Sequence, residues 1–426
     1  MIIELFKTIT SIPRCSGNHQ PFIGFINQFA QKYNYICKVD KANNILCYKQ
    51  NSKSNICLQS HYDIVCLEEN TIPTIIEEDG YLKAKNSTLG ADNGIGCAYM
   101  LDLMTKDSDC EFLFTCDEEI GLIGANNINL NIQSKYMLNL DSEQEGEICI
   151  GCAGGIDIFA TNNNSKLTPN SSDKTLYEIT ISNLDGGHSG VDIDKNIPNG
   201  IKLLVNIIKD CDGDILDING GERINSIPKS AKAIIATNVK PKSSNPNITI
   251  NKIDTPTKHY KKLDSNILKF LNEFKNGVLE YDDNLDVVIS SINLSIISTN
   301  IDDVKIELSA RSMDNDKLKI ITQNTIDTLE DLGFTVITNG KYPAWKPDIN
   351  EFTNDILQIY KQTVPNVALK AIHAGLECAI FKEKFPDIKI ASIGPNIYFP
   401  HSFNEKVEIK SIYNISNIIK KVIKRY

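Results

Sequence analysis

The sequence predicts an α/β protein with two domains, one inserted into the other. Three observations carry that expectation. Short apolar runs alternate with helix-patterned stretches over the first third of the chain. A polar stretch at 161–174, rich in Asn, Ser and Thr, interrupts them. A second set of strands and helices follows, and the first alternation resumes only from residue 343 or so. With 426 residues, and about 150 per domain, two or three domains are expected. Such a chain can bury a core without disulfide or metal staples.

In order along the chain, residues 5–12 and 21–33 are predicted helices. The second carries Phe22, Phe25, Ile26 and Phe29 at helical spacing. Residues 44–48, 55–58, 111–115 and 136–140 read as strands, with a helix at 95–104 between two of them. Strand, helix, strand order implies a mixed, mostly parallel sheet flanked by helices. Beyond the polar stretch, strands at 176–182, 231–238, 285–297 and 303–311 alternate with helices at 200–208, 263–274 and 318–332. These suggest a compact α+β domain. A last helix is expected at 412–423. The expected domains are therefore 1–175 with 342–426, and 176–341 inserted between them.

Hydrophobic residues are 41% and charged residues 23% of the chain, which argues against long disorder, collagen and coiled coil. The net charge is −10 with no Lys/Arg block, so nucleic acid is not an expected partner. No apolar run approaches the roughly 18 residues of a membrane-spanning helix. Glu4 and Lys7 fall where a signal peptide would be apolar. A cytoplasmic protein without a membrane partner is expected. The twelve cysteines are scattered, and the chain is too long for a disulfide mini-scaffold. Cys149 and Cys152 form one CxxC without the second pair that a zinc site of this kind uses; two half-buried thiols are expected there.

Chemistry-bearing residues gather at strand ends and Gly-rich turns. His61 and Asp63 follow an apolar run and face one side of an extended chain. One could bind a metal while the other orients it; alone, an ordinary hydrogen-bonded histidine is the simpler reading. Asp92 lies in Gly90-Ala91-Asp92-Asn93-Gly94-Ile95-Gly96 at the head of a helix, where the dipole favours a carboxylate. No Lys-Ser/Thr follows for a phosphate loop, and the spacing is wrong for a dinucleotide turn. A plain helix cap remains open. Asp117-Glu118-Glu119 ends an apolar strand. Clustered carboxylates repel, but one can hold a cation while its neighbour acts as general base; a solvated turn is the alternative. Asp141 again follows an apolar strand. His373 and His401, taken singly, read as structural. Together His61, Asp92, Glu118, Glu119, Asp141 and His401 lie where open α/β sheets bind ligands. Two histidines with several carboxylates and no cysteine suit one or two Zn2+ or Mn2+ ions. Calcium would leave the histidines without a role.

The order of these motifs resembles the dinuclear-zinc peptidase and deacylase superfamily, and within it the aminoacyl-histidine (Xaa-His, or β-alanyl-histidine) dipeptidases. The resemblance spans nearly the whole chain. It runs from Ile12-Pro13-Arg14 and Ser16-Gly17-Asn18 through the Gly90 to Gly96 turn and Gly151-Cys152-Ala153-Gly154-Gly155. It continues in Gly186-Gly187-His188-Ser189-Gly190 and in Glu222-Arg223-Ile224-Asn225. It closes with His373-Ala374-Gly375-Leu376-Glu377 and Ser392-Ile393-Gly394-Pro395.

The resemblance implies a zinc-peptidase catalytic domain with an inserted lid that also dimerises, and hydrolysis of dipeptides, Xaa-His among them. It implies two Zn2+ per subunit, with Mn2+ or Co2+ able to substitute. His61 and Asp141 would hold one ion, Glu119 and His401 the other, and Asp92 would bridge them. Asp63 would orient His61, and Glu118 would be the general base. His188 would stabilise the oxyanion in the partner subunit's active site. Asn225 and Arg311 would hold the substrate, Arg311 by its carboxylate, and Gly375 would offer a backbone contact.

Three departures from the family pattern bear on pocket shape rather than on the ligands: Phe403 stands where Pro is usual, Ile64 follows the His-x-Asp, and 68–74 is altered. N-acyl amino acids or other short peptides are therefore an alternative substrate class. A phosphoesterase would want a basic phosphate cluster, and a non-catalytic relative would have lost Glu118 or a ligand. His19 and His259 are expected to be surface or structural.

Overall fold

Strands Ile56–His61 and Glu111–Thr115 are buried along their whole length, and Tyr136–Asn139 nearly so. Strands covered on both faces read as continuous apolar runs rather than as an alternation, which is the pattern of Phe112, Leu113 and Phe114. The computed structural model describes residues 1–67, 72–163, 168–169, 174–254, 261–300 and 303–426. They divide into two compact units: 1–152 with 345–371 and 376–426, and 153–344 with 372–375.

The first unit is built on an eight-stranded mixed sheet. Its order is Ile36–Val39, Ile45–Tyr48, Glu111–Thr115, Ile56–His61, Tyr136–Asn139, Lys389–Ser392, Glu147–Cys152, Ala368–Ile372. The middle four strands run parallel. Antiparallel pairs flank them. Helix Ala91–Thr105 is apolar nearly all round and buried nearly all round, as such a helix must be. It packs on strand Ile56–His61 and on helix Ile2–Thr10, which turns Ile2, Phe6 and Ile9 inward. In helix Gln20–Lys32 the predicted apolar stripe is shifted slightly. Phe22, Ile23, Ile26 and Ala30 are buried, whereas Phe25 and Phe29 are half-buried. Helix Ile409–Ile423 buries Ile412, Ile415, Ile418, Ile419 and Val422 in the same core. Each such side chain contributes about 1.5–3 kcal/mol.

The second unit is built on an antiparallel sheet. Its order is Ile248–Ile253, Thr175–Ile181, Ala231–Thr237, Asp214–Gly220, Val287–Thr299, Asp303–Ser312, Gly154–Asn163, Thr335–Tyr342, with Gly277–Asp282 also paired to Val287–Thr299. Helices Gly200–Asp210 and Asn315–Asp331 share its core. Their N-termini are capped by the side chains of Asn199 and Asp314, each worth about 1 kcal/mol.

The structure departs from the expected domain limits. Gly154–Asn163 pairs with Asp303–Ser312 over its full length and with Thr335–Tyr342, so the second unit begins at 153 rather than 176. It ends at 344 rather than 341 and adds Ile372–Gly375. Thr335–Tyr342 is a largely exposed strand, so it has no apolar pattern to read. Cys149 and Cys152 are fully buried rather than half-buried, because their strand is interior. Cys15 and Cys66 form a disulfide that spacing did not announce. Cys15 pairs with Ile64 in a parallel bridge, which places its Cα 5.6 Å from that of Cys66. His259, residues 164–167 and 170–173 of the polar stretch, and 68–71 of the altered stretch lie outside the described residues. Among the described residues no helix is long and apolar enough to cross a membrane.

Candidate active site

The parallel strands end on a common edge of the first unit's sheet. Strand register pairs His61 with Thr115 and Gln59 with Asn139. His61, the Asp117-Glu118-Glu119 turn and Asp141 therefore leave the sheet side by side. Asp92 comes to them from the first turn of helix Ala91–Thr105. His401 comes from a turn in which it and Phe399 adopt left-handed backbone conformations.

The side chains meet at ligand-like distances. His61 Nε2 is 3.1 Å from Asp92 Oδ1 and 3.2 Å from Asp141 Oδ1. His401 Nε2 is 2.9 Å from Asp92 Oδ2 and 3.0 Å from Glu119 Oε2. Asp92 thus turns one oxygen to each histidine. Each triad offers three donor atoms within 4.8 Å of one another, and His61, Glu118 and Glu119 form a third such group.

A carbonyl oxygen only accepts. The 3.1 Å contact from His61 Nδ1 to the Asp63 carbonyl therefore places a proton on Nδ1 and aims Nε2 at the carboxylates. The Asp63 carboxylate lies 3.5 Å from that ring. Its stronger bonds are from Ser16 Oγ at 2.8 Å and from the backbone N–H groups of Glu118 and Glu119 at 3.1 and 3.3 Å. Asp63 therefore holds the turn that carries both glutamates. His19 has a hydrogen-bonding role, with Asp117 and Asn43 as its partners.

The remaining sequence-predicted residues lie in the second unit. His188 pairs with Ser226 in a short antiparallel bridge. Its Nδ1 accepts from the N–H groups of Gly190 and Val191, which leaves the ring proton on Nε2 as a donor. Arg311 is buried and donates to Tyr342 Oη at 2.5 Å, while its Nε has no partner. His373 is bonded to Ser291 Oγ at 2.7 Å, with its Nδ1 unpartnered. A side chain at Gly375 would run into the Tyr342 ring. Asn225 is exposed, and its carbonyl accepts from the Ser189 N–H.

Residues 57–425 match Peptidase family M20/M25/M40. The chain belongs to this family. It is 30% identical to the cytosol non-specific dipeptidase of Escherichia coli K12, over 99% of this chain and 96% of that one. The crystal structure of aminoacylhistidine dipeptidase from Vibrio alginolyticus is similar at a TM-score of 0.84 and 28% identity, over 100% and 96% of the two chains. The aminopeptidase PepT of Bacillus cereus shares the fold at a TM-score of 0.61 and 15% identity, over 99% and 97%. This M20-family chain is a metallopeptidase, an enzyme that hydrolyses peptide bonds.

The site's electrostatics fit a cation pair. Burial raises the pKa of Glu118 well above its usual range, and the nearby Asp141 and Glu119 add to the rise. Burial likewise raises Glu119 and Asp141. Burial opposes ionisation of Asp92 too, but bonds from His401 and His61 outweigh it and hold Asp92 low. Glu119 Oε1 is buried without a partner. Carboxylates this close repel unless protons or cations intervene. Imidazole nitrogens and carboxylate oxygens suit zinc-like ions.

Sequence reading assigned no role to a buried network beneath the site. Glu377 Oε2 accepts from Gln59 Nε2 at 2.6 Å and from Thr115 Oγ1 at 2.7 Å. Gln59 in turn accepts from Asn139, and Asn139 accepts from the Asp141 N–H. One carboxylate so laces the three strands that lead into the site. Burial pushes Glu377 up to about 8. The only signal was a set of polar residues inside apolar runs, at Gln59, Thr115 and Asn139.

Burial and the nearby Arg311 lower His188 from 6.5 to about 4 and His373 from 6.5 to about 3. The unfolded chain then binds protons at a higher pH than the folded one does. Stability is full above the unfolded value and falls as pH drops through it towards the folded values. These two histidines lose stability on acidification, opposite in sign to the raised Glu118, Glu119, Asp141 and Glu377 of the first unit. Measured relative to a His188→Asn/His373→Asn variant, both chelator-treated, the parent is expected to lose melting temperature from pH 7 to pH 5. A difference between the two proteins that stays constant over the interval would remove this account.

Proposed function

We propose that this metallopeptidase hydrolyses dipeptides, Xaa-His among them, through a water held between two zinc ions with Glu118 as general base. The observation that carries the reading is the Asp92 carboxylate, with one oxygen towards His61 and the other towards His401. His61, Asp141 and Asp92 would hold one ion, and Glu119, His401 and Asp92 the other. Bound there, the ions would polarise the scissile carbonyl and bring the pKa of the water towards neutrality. Glu118, buried beside Asp141 and Glu119 at the edge of the site, would take the water's proton and then pass it to the leaving amine. Asp63 keeps Glu118 in place through its backbone N–H. His188, neutral and with its proton on Nε2, donates to the oxyanion. Arg311 grips the substrate's free carboxylate, and Asn225 and Gly375 complete the contacts. The names of the E. coli and Vibrio relatives support dipeptides as substrates, one describing a non-specific enzyme and the other an aminoacylhistidine enzyme.

Zinc-loaded protein is expected to release free histidine from a Xaa-His dipeptide. Glu118→Gln, with zinc retained, is expected to lose about 10²–10⁴ in kcat. Hydrolysis of acylated amino acids but not of dipeptides by folded, zinc-loaded parent would move the substrate class. Equal rates in parent and variant would remove Glu118 as base.

Chelation is expected to abolish activity, and zinc to restore it. Burial disfavours protonated His61 and His401, but the carboxylates around them outweigh it and raise both, His401 to about 11. Zinc uptake at pH 7 should therefore release protons. Calorimetric titration in two buffers of different ionisation enthalpy reads this directly, and identical heats would count against it.

We further propose a homodimer, with His188 serving the partner subunit's active site, in the cytoplasm. The cytosolic name of the E. coli relative supports that location, and cell fractionation checks it. Specific activity should fall on dilution to monomer; activity that stays constant as the chain dissociates would exclude a role in trans.

A further inference from the structure

Helix Ala91–Thr105 begins after Gly90, which is left-handed at φ +68° and supplies no side-chain cap. The first N–H groups of a helix need acceptors. Here they find one carboxylate from the far end of the chain. Glu405 Oε2 accepts from the N–H groups of Leu89 and Gly90 at 2.7 and 3.0 Å. Its Oε1 accepts from Ala91 and Asp92 at 2.8 and 3.4 Å. Four successive amides enclose an anion that is 2% exposed.

A buried cation holds the carbonyl side of the same turn. Arg14, 1% exposed, donates from Nη2 to the Gly90 carbonyl at 2.7 Å and from Nη1 to the Tyr62 carbonyl at 2.9 Å. A Cβ at Gly90 or Gly94 would lie within 2.9 Å of Nη2, so both glycines make room for the guanidinium. Tyr62 lies between His61 and Asp63. Glu405 follows His401 by four residues. The clamped turn carries Asp92.

We propose that Arg14 and Glu405 are positioning residues: they clamp the Leu89–Asp92 turn from its two sides and so set Asp92 between His61 and His401. Neither residue touches the substrate or the reacting atoms. The inference rests on the two-zinc reading and adds to it what fixes the shared ligand. A helix needs no distant buried carboxylate for capping, since a local Ser or Asp suffices, and burying a charge is costly unless it is well partnered. What this pair does that a local cap could not is join three segments, each bearing a residue of the metal-ligand set.

The test is zinc binding by chelator-treated full-length protein, read by competition with a chromogenic chelator and by the visible spectrum of bound Co2+. In Glu405→Gln an amide NH2 faces backbone donors. Parent protein is expected to bind two ions, and Glu405→Gln to bind the second at least about tenfold more weakly with an altered Co2+ spectrum. Glu405→Asp, which keeps the charge with a shorter reach, should fall between them, and Arg14→Lys should shift in the same direction. Two ions bound with parental affinity and spectrum by folded Glu405→Gln would overturn the proposal, even if its melting temperature fell. Should Glu405→Gln not fold, Glu405→Asp decides in the same way: a weakened second ion supports the clamp, parental binding removes it. A parent that binds no ion pair would sink the two-zinc reading, and the clamp with it; that failure is distinct because it occurs in the parent.

Discussion

Like charges crowded at the ends of parallel strands are the constraint on which this structure turns. Asp63, Asp92, Glu118, Glu119 and Asp141 surround His61 and His401 at one edge of a buried sheet. Asp63, Asp92, Glu119 and Asp141 are mostly buried, so repulsion between the carboxylates is stronger than it would be in solvent. The fold answers it locally. Asp63 is satisfied by Ser16 and two backbone N–H groups, Asp141 by Asn93, and Asp92 by two histidines. Glu118, Glu119 and Asp141 are left with raised pKa values, and Glu119 with an unpartnered oxygen. That residual imbalance gives a cation a reason to bind.

Backbone geometry and a few buried polar side chains place those charges. Glu377 ties Gln59, Thr115 and, through Gln59, Asn139, so the strands bearing these charged side chains keep their register near the site. Glu405 and Arg14 hold the turn that bears Asp92. These groups are themselves buried and charged or polar. Their cost is tolerable because almost every one finds several partners, as buried polar groups must.

The second unit solves a different problem. His188 and His373 are kept neutral by burial and by Arg311, whereas His61 and His401 are driven towards protonation by carboxylates. The same residue type is thereby a donor of one hydrogen bond in one place and a candidate ligand in the other. Arg311 keeps an unpartnered Nε beside Tyr342 and His373, which gives that unit an unspent cationic donor.

Much of the site could be read from the chain alone, because metal-ligand chemistry restricts residue types. His61, Asp92, Glu118, Glu119, Asp141 and His401 stand at the ends of apolar runs or in Gly-rich turns, and both features are local. The α/β class followed for the same reason, since fully buried strands such as Glu111–Thr115 carry an unbroken apolar run, Phe112 to Phe114, in place of an alternation. What stayed hidden depends on partners distant in sequence. Gly154–Asn163 joins the second unit because its ladder is with Asp303–Ser312, and no local pattern marks that choice. Thr335–Tyr342 is exposed and therefore carries no apolar period. The Cys15–Cys66 bridge, the Glu377 network and the Glu405 nest each join residues from separate segments. A glutamate reads the same on paper whether water or four backbone amides surround it. Sequence by itself determined which residue types could do the chemistry and on which elements they lie. Only the tertiary structure decided which of Asp92's oxygens faces which histidine, and what holds Asp92 there, because those are distances across the fold.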